Sequence, residues 1–499
     1  MTAIEPASTS TSQVTKTGQR LIIIAVSLAS LIGAIDTSIV NISQPAIIQS
    51  LGVSVGLGSL VIISYMLTIA GLIMIMGKIG DKYGFKNLLV GGLVVFGIGS
   101  FLCGVSPNIY SLIASRVVQG IGASMFSAIG PAIITSYLPQ SVRGRSLGYL
   151  ISLSAIGFAL GPGIGGFITQ YMSWRWIFYF NLPIVAAALM LAWYFIPKSD
   201  AGEQNGSFDF SGPFTFVVSL ILILSGISLL QVPETPDILI ELFFATGVIT
   251  GLVFYFHQRN HPDPLINPEL PKNRNFVFGI LAALIVTMLF AGVTYLMPLY
   301  LVNSRHLDQA TAGLIMTIPA LLSMIVAPVS GSIADRYGSI LVSAIAIGLA
   351  AAGFLVFYTF NPVTLVVIII AGMLVTRVST AAFFGPNARL IMGHCPPNAV
   401  GNGSGVMMTV RHIGMVFGIA MFQNVFAVRM YLAGIPRNGT PLVPRLTPEL
   451  SLLGYQAVYL VSFALCLIVV LVILWTKEPT SEGEDEIAPE WIAEMGSEI

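Results

Sequence analysis

Residues 21–43 read LIIIAVSLASLIGAIDTSIVNIS. The run is apolar and long enough to cross a bilayer as a helix, for which about 20 residues suffice. It nevertheless carries one acid, Asp36, about two thirds of the way along. A charged side chain near the centre of a membrane helix costs roughly 2.5 to 3.5 kcal/mol on insertion scales, so such a residue needs a partner or a task. Two readings follow: Asp36 exchanges protons, or it only pairs with a buried arginine to hold two helices together. No second Asp or Glu falls deep in any other apolar run, and that solitude favours the first reading.

The whole chain shares this character. It is 55% hydrophobic and 9% charged, with a mean hydropathy of +0.88, against roughly 25% charged residues in a soluble domain. An integral membrane protein is implied, and a helical one, because barrel strands would alternate polar and apolar residues. The formal net charge is zero, so nothing in the total suggests a nucleic-acid partner. Cys103, Cys395 and Cys466 are odd in number and scattered, and form neither a metal motif nor a disulfide framework. No small-residue cleavage site follows the first apolar run, which reads as a retained helix and not as a signal peptide.

Spans are expected near 21–43, 57–77, 87–106, 109–136, 146–169 and 176–196, then 211–231 and 238–257, then 275–302, 311–331, 340–360, 363–391, 403–428 and 455–476. That makes fourteen, and an even number puts both termini on one side. The loops and tails of that side hold 13 Lys and Arg, those of the other side five. The positive-inside rule then makes both termini cytoplasmic in a multi-pass protein of the cell membrane. Polar breaks at Lys198–Gly212 and His257–Arg274 divide the chain. The expected parts are a tail (1–20), a six-helix bundle (21–196), an inserted pair with linkers (197–262), a second six-helix bundle (263–476) and an acidic tail (477–499). The Pro-rich outer segment Arg429–Gly454 is a connector or the rim of a substrate entrance.

A repeat supports the division. Gly77, Asp81 and Gly84 in GKIGDKYGFK follow the second span, and Gly331, Asp335 and Gly338 follow the second span of the last six with the same G-x-x-x-D-x-x-G spacing. Two six-helix bundles with matching signals are what a repeat-built transporter shows, its substrate site lying between them near the midplane. Asp81 is suited to meet the positive end of a neighbouring helix or a basic side chain, and Lys82 and Lys86 to face anionic headgroups. Such a contact would latch one end of the bundles.

Arg116, in SRVVQGIGAS, lies seven residues from the outer end of its span, as Asp36 does, so both sit roughly 10 Å deep. An acid and a guanidinium at one level neutralise each other cheaply. Gln119 and Gly120 share the face of Arg116. Pairing favours the charged carboxylate and desolvation the neutral acid. Separating the pair would therefore let Asp36 take up a proton. The fifth span holds GFALGPGIGG, in which Gly157, Gly161 and Gly165 form a stripe of small residues for close packing and Pro162 bends the helix, with Gly166 following. No G-K-[ST] ending follows here or elsewhere, so the chain supplies no ATP site of that kind.

Together AIDTSIVNISQP, GKIGDKYGFK, SRVVQGIGAS, GFALGPGIGG and SWRWIFYFNLP resemble the major facilitator superfamily, and within it the fourteen-span drug/proton antiporters of the EmrB/QacA type. The resemblance covers about residues 20–476 and implies export of hydrophobic, often cationic compounds against inward proton flow. It implies coupling through Asp36 and Arg116, and makes Gly157–Gly166 the antiporter signature. The second half departs from some such exporters, which carry further membrane acids there. Here it offers Arg377 and Arg411, and Arg389 near the inner surface, where its long stem can snorkel.

Arg411 precedes Gly414 and Gly418, which suits a structural role, yet a cavity holding Arg377, Arg411 and Gln119 would attract carboxylate or phosphate. Two functions are therefore expected: a proton-coupled exporter of small, largely apolar molecules, or a carrier of anionic metabolites or lipids. An enzyme or channel is disfavoured, since the spans show one deep acid, no deep histidine and no filter-like segment. No cofactor or metal is called for; the expected partners are a small-molecule substrate, protons and the lipid bilayer.

Overall fold

The computed structural model of the chain describes residues 15–197, 211–229, 235–261, 264, 266–361, 364–396, 399–434 and 448–478. A chain immersed in lipid satisfies its backbone within each segment, and the apolar runs accordingly fold as helices. In the first half these are α1 (Lys16–Leu51), α2 (Val55–Tyr83), α3 (Phe85–Val105), α4 (Ile109–Tyr137), α5 (Gln140–Tyr171) and α6 (Trp176–Phe195). Two central helices follow, α7 (Ser211–Leu229) and α8 (Asp237–Asn260). The second half holds α9 (Arg274–Leu299), α10 (Gln309–Tyr337), α11 (Ser339–Tyr358), α12 (Val366–Gly393), α13 (Val400–Leu432) and α14 (Pro448–Leu474). Thirteen of these are long and apolar enough to cross a membrane; the fourteenth, α7, contributes a shorter apolar stretch, Ser211–Ile227.

Local chemistry sets the ends. Thr15 caps α1 and Ser54 caps α2 through side-chain oxygens that accept from the first turn. Asn108 and Ser111 form a capping box on α4. Asp308 caps α10, and the hydroxyl and amide of Thr311 hold its carboxyl below the usual carboxylate range. The repeated motif has a conformational reason: Gly84 and Gly338, its last glycines, take φ of 92° and 90°, where a side chain would be strained. Each thereby turns one helix directly into the next.

Helices run past several expected spans. α1 continues from the expected end at Ser43 to Leu51, because Asn41, Ser43 and Gln44 are buried in protein and not exposed to lipid. Ser43 also shares a hydrogen bond with Thr169 of α5, 2.7 Å between hydroxyls. The two halves use the same pairings: α1 on α5, α2 on α4 and α3 on α4 recur as α9 on α13, α10 on α12 and α11 on α12. The halves meet through α5 with α10, α2 with α13 and α1 with α9. The central pair sits at the α2–α13 seam, where Val217 of α7 lies against Gly71 and Asn424 of α13 donates to the Ile227 carbonyl (3.3 Å). α8 packs on α7, Ser219 donating to the Gly247 carbonyl at 2.8 Å, and leaves Leu242, Ile249 and Tyr255 exposed to lipid.

Candidate functional site

Asp36 and Arg116 meet. Arg116 Nη1 donates to Asp36 Oδ2 at 2.6 Å, and both side chains are 0% exposed. Gln119, one turn along α4 from Arg116, accepts from Arg116 Nη1 (2.6 Å) and donates to Asp36 Oδ1 (2.8 Å) and Ser100 Oγ (2.8 Å). Asn181 of α6 donates a further bond to Asp36 Oδ1 at 2.8 Å. The guanidinium is also tied by Nε to the Val61 carbonyl (3.0 Å) and lies over the Tyr65 ring, 3.9 Å from its centroid. Four of the first six helices thus converge on one carboxylate and one guanidinium, and α3 holds Gln119 through Ser100. A buried ion pair offsets its desolvation only when its remaining lone pairs and protons are met; here both carboxylate oxygens, Arg116 Nε and Nη1 are met, and Arg116 Nη2 is not.

A cavity of about 750 Å³ lies between the halves. Its wall comes from the middle of the helices and from their turns toward the face where α1 begins and α14 ends, including Thr37, Tyr65, Ser127, Ser154, Phe158, Phe290, Phe384, Arg411 and His412. At the opposite face the halves are in contact. Pro162 and Gly166 of α5 lie backbone to backbone on Gly313 and Gln309 of α10, and Tyr295 of α9 donates to the Val55 carbonyl at 3.4 Å. Thr37 and Tyr65 belong to the wall, whereas Asp36 and Arg116 lie behind it.

The other expected residues divide. Gly157, Gly161 and Gly165 press α5 on Leu31, Ser38 and Ile39 of α1, next to Asp36, while Gly166 faces the other half. One stripe thereby serves both the charge site and the seam. Gln119 belongs to the ion pair and not to the cavity wall. Arg411 lines the cavity, over the Phe384 ring at 4.8 Å, although Gly414 and Gly418 beside it do pack α13 closely on α9. Arg377 lines a small void inside the second half and reaches the cavity only through Phe290, whose ring centroid is 4.3 Å away.

In the repeated turns the surroundings of Gly77 and Gly331 are open, and the Asp81 side chain lies outside the described residues. Asp335 pairs with Arg389 of its own half at 3.1 Å. Arg389 also donates to the Ala334 carbonyl at 3.0 Å and so closes the end of α10. Lys86 donates to the Trp193 carbonyl at 2.6 Å, and so is occupied by α6. Of the acidic tail, Glu478 accepts from Ile340 N at 2.6 Å and caps α11; the residues from 479 onward, like 198–210 and 435–447, lie outside the described residues.

Sequence reasoning missed Asn181, Tyr65 and His412. Asn181 stood in SWRWIFYFNLP as an amide in an apolar run, which is the signal that could have found it. Tyr65 carried none, because a tyrosine in a span is ordinary. His412 lies deep in α13, contrary to the expectation of no deep histidine.

A model described as Major Facilitator Superfamily matches residues 26–419. The riboflavin transporter RibZ of Clostridioides difficile (strain 630) is 30% identical over 82% of this chain and 88% of its own length. Multidrug resistance protein 3 of Bacillus subtilis (strain 168) is 27% identical over 81% and 79%. A crystal structure of a D-xylose-proton symporter superposes with a TM-score of 0.61 at 16% identity, over 93% of this chain and 99% of that one, and so shares the fold. With two matched six-helix halves around a central cavity, and a family match over most of its helices, the chain belongs to the Major Facilitator Superfamily and is a membrane transporter of small molecules, not an enzyme.

Proposed function

We infer that the protein exports small hydrophobic compounds by alternating access, in exchange for protons that visit Asp36. The observation that carries this reading is the fully buried Asp36–Arg116 pair, set directly behind cavity residues Thr37 and Tyr65. In the arrangement described, the carboxylate is met by a cation and by two amide donors. Rearrangement of α1 against α4 would take Arg116 away, and a carboxylate left alone in a low-dielectric interior takes up a proton. Substrate held in the cavity and a proton held on Asp36 then belong to different arrangements of one machine, which is what exchange requires.

The bodies that move are residues 21–196 and 263–476, with the pair in 197–262 riding at the α2–α13 seam. The face that bears the termini is cytoplasmic, on the strength of 13 basic residues against five. The cavity turned to that face makes this an inward-facing arrangement of a protein in the cell membrane. The Gly77–Gly84 and Gly331–Gly338 turns would act as a latch in the opposite one. The aromatic and Met lining suits apolar bodies, and the names of the relatives widen the panel to riboflavin and to drug-like compounds.

The test is transport in sealed vesicles with an imposed pH gradient. Asp36→Asn should leave the protein folded and able to bind substrate but abolish gradient-driven transport. Gradient-driven transport at the wild-type rate in that variant removes Asp36 from the mechanism.

A further inference from the structure

We propose that Arg411 and His412 form a subsite for the carboxylate of an aromatic acid, and that His412 makes its occupancy depend on pH. The proposal rests on the reading of the central cavity as the substrate site. α13 presents both residues to the cavity. Arg411 has no hydrogen bond or ion pair among the described residues; its Nε is buried without a partner, and its guanidinium only faces the Phe384 ring. His412 Nδ1 lies 2.9 Å from the Met408 carbonyl and is therefore the donor, which leaves Nε2 as the ring's free hydrogen-bonding atom.

The helices around them offer no counter-charge. The polar groups of the wall are Ser30 and Thr37 of α1, Tyr65 of α2, Ser127 of α4, Ser154 of α5, Thr287 of α9, and Ser404 and Thr409 of α13; Phe384 is the contribution of α12. Tyr65 is the only other titratable group among them, and Asp36 is already held by Arg116. A guanidinium facing a low-dielectric cavity without an anion is a binding site for one.

The neighbouring surface says what the anion is attached to. Phe158, Phe290 and Phe384 adjoin one another, with ring centroids 5.7 and 6.4 Å apart, and Met408 and Met415 flank Arg411 and His412. A flat apolar ring would lie on the three rings with its carboxylate on Arg411. Protonated His412 would add a second donor and a second positive charge, so binding strengthens as pH falls through the imidazole range and takes up one proton.

The test uses the full-length protein in phosphatidylcholine nanodiscs, where no anionic headgroup competes, with 2-naphthoate and its neutral counterpart 2-naphthamide as probes. The acid is ionised at both pH 5 and pH 7.5. Wild-type protein should bind 2-naphthoate about tenfold more tightly at pH 5 than at pH 7.5, the effect of one unit of linkage, and 2-naphthamide equally at both. His412→Gln should flatten the 2-naphthoate profile. Arg411→Gln should weaken 2-naphthoate about tenfold or more at both pH values, with 2-naphthamide within about twofold of wild type as the check that the variant is folded. A pH profile that survives in His412→Gln, or that disappears in Asp36→Asn, overturns the role of His412. Undiminished 2-naphthoate binding in Arg411→Gln overturns the subsite while 2-naphthamide binding leaves the cavity standing. If wild-type protein binds neither probe, both the subsite and the reading of the cavity fail.

Discussion

In the first half of the transporter an arginine and an aspartate meet at 2.6 Å, with Gln119, Asn181 and the Val61 carbonyl taking up much of their remaining hydrogen-bonding capacity and Ser100 holding Gln119 in place. In the second half, built from the same helix pairings, Arg377 and Arg411 face aromatic rings and find no anion among the described residues. The difference is one of task. A charge completed by the protein's own groups has little to offer a ligand. A charge left incomplete at a cavity wall costs stability and gains a partner only when something binds. Twofold architecture thus carries two unlike sites, one turned inward to its own bundle and one turned to the cavity.

If that contrast is right, the largest loss of stability should come from Arg116. Arg116→Gln leaves the Asp36 carboxylate buried without its cation and should destabilise the protein by about 3–5 kcal/mol, whereas Arg411→Gln should cost no more than about 0.5 kcal/mol. Reversible detergent-unfolding titrations of the two variants measure both, and equal losses would break the comparison. Asn181→Ala removes one charge-assisted bond and should fall between them, at about 1.5–3 kcal/mol; a neutral result in the same titration would mean that Asn181 only accompanies the pair. Arg377→Gln gives up the Phe290 face and should cost about 0.5–2 kcal/mol of stability, but its effect on substrate preference should be the smallest. Because Arg377 reaches the cavity only through that ring, its loss should change the preference between cationic and anionic substrates less than Arg411→Gln does. Transport of matched ions by the two variants tests this order, and a larger change for Arg377→Gln would reverse it.

Much of the molecule could be read from the chain. Membrane immersion leaves a segment few choices, so apolar length and the doubled G-x-x-x-D-x-x-G turn were enough for two six-helix halves and an inserted pair. Asp36 and Arg116 were matched by depth alone, because unpaired charges at one level in lipid must find each other. What depends on direction around a helix and on neighbours distant in the chain was settled only by the tertiary structure. Gln119 turned to the ion pair, Arg377 turned into its own bundle, and Asp335 closed on Arg389 within one half. Asn181 joined Asp36 from 145 residues away. Composition and spacing report how costly a side chain is to bury, and so which residues must be partnered or put to use; which partner each obtains is decided by how the helices cross.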